Sequence, residues 1–169
     1  MKFAVMGAGA VGCYFGALLA RAGHDVTLIG RPQHVEAINQ RGLRLETKTF
    51  DEHVPMRATT EASGVQDADV VLFCVKSADT ARTGRDMSAF MKSDATILCL
   101  QNGVDNAERL QSVITQVAVP SAVYVATEMA GPGHVRHHGR GELIIGASPQ
   151  SAAIAAILTE ANIPTTVSE

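Results

Sequence analysis

Apolar residues along this chain fall in short unbroken blocks separated by longer stretches with a helical rhythm. Phe3-Ala4-Val5-Met6 is the first block, and a glycine-rich hexapeptide leads from it into an Ala/Leu-rich stretch that ends at Gly23. The block reads as a strand and the longer stretch as a helix. Asp25-Val26-Thr27-Leu28-Ile29 predicts a second strand and residues 33–40 a short helix. Residues 43–61 alternate apolar and polar positions and carry Pro55, which predicts an extended hairpin. Val70-Val71-Leu72-Phe73-Cys74-Val75 and Ala95-Thr96-Ile97-Leu98-Cys99-Leu100 are the runs expected of strands buried on both faces of a parallel sheet. Helical patterns follow each, over 79–91 and 105–115. Strands are predicted at 121–127 and 142–145, joined by a loop rich in Gly, Pro and His, then a helix over 151–161 and a last short strand at 165–167. Strands alternating with helices predict an α/β fold with a doubly wound, mostly parallel sheet of the Rossmann type. No internal repeat interrupts it, and one domain over residues 1–169 is expected.

Composition narrows the partners. Of the 169 residues, 46% are hydrophobic and 18% charged, with a net charge of −3. That balance makes no electrostatic bid for nucleic acid or an anionic membrane surface. No apolar run approaches the roughly 18 residues of a membrane span, and Met1-Lys2 leads straight into a strand with no signal-peptide pattern. Cys13, Cys74 and Cys99 fall in predicted strands or a helix without CxxC spacing. They read as buried, reduced thiols of a cytoplasmic protein rather than metal ligands.

The chemistry begins at Gly7-Ala8-Gly9-Ala10-Val11-Gly12, a GxGxxG motif set between a strand and a helix. In that context each glycine answers a demand of dinucleotide binding. Gly7 permits the tight turn, Gly9 lets the backbone approach the pyrophosphate, and Gly12 lets the helix pack on the sheet. The helix N-terminus then offers free N–H groups and a partial positive charge to the anion.

Cofactor choice turns on the end of the second strand. Sites that prefer NAD place an acid about 20 residues past the glycine motif, to bond the ribose 2′-OH. Here that position holds Arg31. A guanidinium fork suits a 2′-phosphate and points to NADP(H); the plain alternative is a surface arginine at a strand end. Lys76 follows the strand ending at Val75 and could reach a phosphate or the adenine, or be solvated. Asn102, in Gln101-Asn102-Gly103, could hold a ribose hydroxyl or orient substrate, or simply serve as a turn or N-cap residue.

GAGAVG at 7–12, Arg31, VKS at 75–77, QNG at 101–103 and Ala130-Gly131-Pro132-Gly133 together resemble the N-terminal domain of the ketopantoate reductase (2-dehydropantoate 2-reductase) family, over essentially the whole chain. The resemblance implies that Gly7, Ala8, Gly9, Ala10, Val11 and Gly12 hold the pyrophosphate of NADP(H), and that Arg31 and Lys76 contact the adenosine end and its 2′-phosphate. Asn102 would sit by the nicotinamide ribose as a positioning residue of the active site. Ala130 would line the nicotinamide end through its backbone. The reaction implied is NADPH-dependent reduction of 2-dehydropantoate to pantoate, in pantothenate and coenzyme A biosynthesis. Family members often continue the VK motif with Thr and, shortly after, Gln; this chain reads Lys76-Ser77-Ala78-Asp79.

In that family the general-acid lysine and the substrate-binding asparagines lie in a helical C-terminal domain. No lysine follows Lys92 here, so the chain is expected to be a cofactor domain without its helical partner. A homodimer would form through that partner. Alternatively the bare domain would self-associate through apolar residues such as Ile154-Ala155-Ala156-Ile157-Leu158 and Ile163-Pro164. His134, His137 and His138 have no Cys or acid beside them except Glu142, short of the set a zinc site needs, so no metal is expected. Two readings of other kinds remain: a reductase of another 2-oxo or 3-hydroxy acid, and a nucleotide-binding module without catalysis.

Overall fold

A computed structural model describes residues 1–101 and 105–169. The chain runs β1 (Lys2–Met6), α1 (Ala10–Arg21), β2 (Asp25–Ile29), α2 (Pro32–Arg41), β3 (Leu43–Glu46), β4 (Asp51–Val54), β5 (Arg57–Thr59), β6 (Val70–Phe73), α3 (Thr80–Ser88), β7 (Thr96–Cys99), α4 (Asn106–Gln111), β8 (Val117–Gly131), β9 (His134–Ile145), α5 (Ser151–Glu160) and β10 (Thr165–Val167). The strands lie in the order β4-β3-β9-β8-β7-β6-β1-β2-β5, with β10 on β9. From β8 to β5 every neighbour is parallel. β1 lies between β2 and β6, so the chain leaves it in one direction and later returns to its other side. That reversal is the switch point of a doubly wound sheet, where such folds open a crevice.

Alternation along the buried strands sends side chains to two cores. Phe3 and Val5 of β1, Val70 and Leu72 of β6 and Leu98 of β7 face α1. Ala4 and Met6, Val71 and Phe73, and Ile97 and Cys99 face α3, α4 and a 3-10 turn at Ala62–Val65. α1 is buried without a break from Gly12 to Leu19, the mark of a helix covered all round. The parallel strands lie on one side of it. β3, β9 and α5 close the other with Leu43, Leu45, Val135, Leu143, Ile154 and Leu158.

The region between 127 and 142 departs from the expected loop. β8 and β9 form one long antiparallel ribbon that turns only at Pro132 and Gly133, and Gly133 takes φ +62. β8 belongs to two pairings: residues 117–120 run parallel to β7, and 121–131 run antiparallel to β9. The ribbon is irregular between Tyr124 and Val125, Ala126 and Thr127, and Met129 and Gly131. β8 keeps alternating half-buried and exposed positions to its end, but polar residues such as Thr127 hold some of the half-buried ones, so the alternation is not one of apolar and polar residues. Cross-strand pairs replace hydrophobic patterning: Arg136 and His138 meet Glu128 at 3.0 and 3.1 Å, and Arg140 lies 4.9 Å from the Tyr124 ring centre.

Three other expectations are adjusted. Residues 43–61 are not one hairpin: β3 and β4 pair, Pro55 ends the pairing, and β5 joins the far edge of the parallel sheet beside β2. The helices expected over 79–91 and 105–115 are shorter, each preceded by tighter turn structure or a cap. The apolar residues expected to serve self-association are divided, with Ala156 and Pro164 exposed and Ile157 half-buried. Ile154, Ala155, Leu158 and Ile163 are all buried within this domain, because α5 covers the outer layer around α1. Among the described residues no helix is long and apolar enough to cross a membrane.

Replacing Leu19, fully buried on α1, with Ala should cost about 2–5 kcal/mol of unfolding free energy by chemical denaturation. Ala153→Ser on the exposed side of α5 should change it by less than about 0.5 kcal/mol. Equal, small effects would mean that α1 is not the helix on which both layers pack.

Candidate functional site

The crevice at the switch point has a volume of about 570 Å³ and opens beyond the C-terminal ends of β1, β2 and β6. Its floor is the glycine loop. Gly7 takes φ +110, and its N–H donates to Ile29 O at 2.9 Å, tying the loop to β2. A Cβ on Gly7 would stand 2.9 Å from the Cys74 carbonyl carbon and oxygen, so the loop touches the backbone leaving β6. Around Gly9 a Cβ would meet nothing within 4 Å. That space is open toward the crevice and is the room a bound phosphate needs. Gly9 is also the N-cap of α1 and carries no side chain to satisfy the first-turn N–H groups. A Cβ on Gly12 would collide with the Gly7 carbonyl oxygen and come within 2.8 Å of Val5 Cγ1. Gly30 belongs with them: a Cβ there would collide with that of Ala8.

Arg31 ends the β2 edge of the crevice as the N-cap of α2, and Lys76 ends the β6 edge just before a 3-10 turn at Ser77–Asp79. Both line the crevice and both are exposed. Neither makes a side-chain hydrogen bond or ion pair among the described residues. No acid stands at the end of β2. The acids that line the crevice, Asp79 and Asp86, come from the α3 side, and Asp79 is engaged with Arg82 at 2.8 Å.

The segment carrying Lys76 is held from behind. Gln101, 8% exposed, donates through Nε2 to Val75 O at 2.8 Å and to Thr80 Oγ1 at 2.9 Å. Arg109 adds a bond to Ser77 O at 2.8 Å. Gln101 Oε1 is buried and has no hydrogen-bond partner among the described residues. Cys74 also lines the crevice, and burial pushes its thiol well above the usual range, as it pushes Cys13 up to about 12. None of the three cysteines is poised as a nucleophile.

The structure thus brings Gly7, Ala8, Gly9, Arg31 and Lys76 to one crevice. Ala10, Val11 and Gly12 form the first turn of α1 immediately behind it. Ala130 stands apart on β8, exposed and outside the described lining. Asn102 lies outside the described residues. The three histidines of the ribbon go to separate partners: His134 to Glu46 at 2.8 Å, His138 to Glu128, and His137 to the Arg140 carbonyl while stacking on Tyr14 at 4.3 Å.

His34 was not among the candidates from sequence. It lines the crevice in the first turn of α2, and its Nδ1 accepts a bond from Gly133 N–H at 3.1 Å. Burial, and then the Arg31 charge, hold its pKa below the usual histidine range. Its spacing of three from Arg31 put it on the same end of α2, but its partner lies 99 residues away.

Sheet order, switch point and glycine loop together define a Rossmann-type domain. The chain belongs to the ketopantoate reductase PanE/ApbA family, whose profile matches residues 3–150. A 2-dehydropantoate 2-reductase of Pyrococcus horikoshii is 37% identical over 89% of this chain and 48% of its own length. The PanE/ApbA family ketopantoate reductase from Ralstonia eutropha JMP134 is 57% identical, with a TM-score of 0.98 over all of this chain and 57% of that protein. A D-mandelate dehydrogenase solved with NADH and anilino(oxo)acetate superimposes with a TM-score of 0.89 at 26% identity, again over 57% of its length. The chain therefore spans about half the length of the relatives it matches.

Gly12→Ala should lose about 1–3 kcal/mol of stability through overpacking, whereas Gly9→Ala, with open space around its Cβ, should stay within about 0.5 kcal/mol of the parent. Thermal or urea unfolding of the two variants checks this. A costly Gly9→Ala would mean that the cradle is already filled by protein.

Proposed function

We propose that this chain is the NADP(H)-binding domain of a cytoplasmic NADPH-dependent 2-dehydropantoate 2-reductase, the enzyme that reduces 2-dehydropantoate to pantoate on the way to pantothenate and coenzyme A. The observation that carries the cofactor is Arg31 at the end of β2, where a ribose-binding acid would stand, facing the crevice together with Lys76. Two cations at one mouth, neither in an ion pair among the described residues, suit a 2′-phosphate better than a diol. In this reading the open space at Gly9 and the uncapped start of α1 take the pyrophosphate. Asn102 positions the nicotinamide ribose and the ketone.

Bound there, the reduced nicotinamide supplies the hydride. The chain's own residues fix where the cofactor lies and keep protein out of the space it needs. Protonation of the new hydroxyl calls for an acid near the ketone. Among the lysines, only Lys76 lines the crevice; Lys92 is engaged with Asp69 at 2.7 Å, just before β6 at the opposite end of the sheet. We place the general acid in the additional length that the relatives have, as the family resemblance implies.

A second reading has one specific support. The D-mandelate dehydrogenase of the same fold was solved with NADH and anilino(oxo)acetate, so a different 2-oxoacid and the other cofactor are the competitors to test.

Calorimetric titration should show NADPH binding more tightly than NADH. Arg31→Ala should weaken NADPH by about one to two orders of magnitude, the loss of a hydrogen bond to a charged group, and leave NADH within about twofold. Equal affinities for both cofactors, with or without Arg31, would overturn the NADP(H) assignment.

In a steady-state NADPH oxidation assay with a panel of 2-oxoacids, the 169-residue chain should show no meaningful turnover. A version extended to the relatives' length should turn over with 2-dehydropantoate as its best substrate, because hydride donor, bound ketone and acid must be held together. Robust turnover by the shorter chain would put the acid within it, with Lys76 the first residue to test.

A further inference from the structure

We propose that His34 is a second 2′-phosphate ligand beside Arg31, acting as a neutral hydrogen-bond donor through Nε2; the inference rests on the NADP(H) reading above. Three observations carry it. His34 lines the crevice in the same first turn of α2 that Arg31 caps. Its Nδ1 accepts the Gly133 N–H at 3.1 Å, and a backbone N–H can only donate. A nitrogen that accepts carries no proton, so the proton of the neutral ring sits on Nε2. Nε2 has no partner among the described residues, and an N–H at a crevice mouth is a donor for an anionic oxygen.

The ring is held in that state from outside the crevice. Gly133 is fixed at the ribbon turn by φ +62 and by the Arg44 N–H, which donates to its carbonyl at 2.9 Å. A Cβ on Gly133 would come within 2.9 Å of Ala37 Cβ, so the turn presses directly on α2. Protonating Nδ1 would set two donors against each other and break the link between turn and helix. Burial and the adjacent Arg31 also disfavour the imidazolium. His34 therefore adds direction rather than charge: Arg31 supplies the Coulomb attraction and His34 a fixed N–H. The β8–β9 ribbon is what selects the tautomer.

The test uses adenosine 2′,5′-bisphosphate and 5′-AMP, which differ at the group in question. His34→Ala should weaken the bisphosphate about tenfold, the loss of one bond to a charged oxygen, and leave 5′-AMP within twofold. His34→Gln, whose amide can accept from Gly133 and donate outward at once, should recover most of the loss. With the chain labelled in its histidine nitrogens, long-range 1H–15N spectra should show His34 as the Nε2-protonated tautomer. That signal should move with the bisphosphate and stay still with 5′-AMP.

If His34→Ala binds the bisphosphate as the parent does while Arg31→Ala loses it, His34 only braces the ribbon turn and the proposal fails alone. A ring protonated on Nδ1 overturns it equally. If the parent chain does not discriminate between the two nucleotides, the NADP(H) reading fails and takes this inference with it.

Discussion

The start of α1 lies so close to the ends of β1 and β6 that no side chain fits between them. Gly7 rests on the Cys74 backbone, and Gly12 packs against the Gly7 carbonyl and Val5. This steric constraint sets the axis of α1 relative to the sheet and leaves its first-turn N–H groups pointing into the crevice. It also decides where Arg31 and Lys76 stand, because the strands that deliver them, β2 and β6, flank β1 on either side. The floor is backbone, and the rim carries two strand-end side chains, Arg31 and Lys76. Such a division lets the rim change without disturbing the packing beneath it.

α1 owes its burial to a second layer that a minimal nucleotide-binding sheet does not need. The β8–β9 ribbon, β3 and α5 cover the side of the helix away from the parallel strands. Because β8 starts in the parallel sheet and ends in the ribbon, the two layers share one continuous strand. The turn of that ribbon reaches α2 and fixes His34. The outer layer is thereby connected to the crevice rim by a short mechanical path through Gly133.

What the sequence made legible was local. A glycine motif between a strand and a helix, apolar runs such as 70–75, and an arginine at a strand end can each be read from neighbours in the chain. The family resemblance drew on such short segments, with 101–103 and 130–133 added. The ribbon between 127 and 142 was not legible, because polar residues such as Thr127 and His137 hold its half-buried positions and its stabilising pairs, Arg136 with Glu128 and Arg140 with Tyr124, look like ordinary surface polarity. The α5 residues were only partly legible for a related reason: an apolar stretch reveals that something covers it, but not which of its residues are covered within the same domain, as Ile154 and Leu158 are. His34 and the Gln101 clamp depend on contacts 99 and 26 residues away, which no local rule encodes. Asn102, prominent in sequence, lies outside the described residues.

The two ends of the long sheet path are β4 and β5. β4 is four residues long and begins Asp51-Glu52-His53; β5 is three residues long and begins with Arg57, paired to Asp25. β10, lying on β9 off this path, is likewise three residues long. Short, charged margins offer a poor template for backbone pairing with another chain. A sheet this wide would otherwise invite copies to add strands and grow into aggregates. The longer margin is β8 itself: past Pro120 it pairs with β9 alone among the described residues, so the room for a further strand lies along 121–131 and not at the short, charged ends.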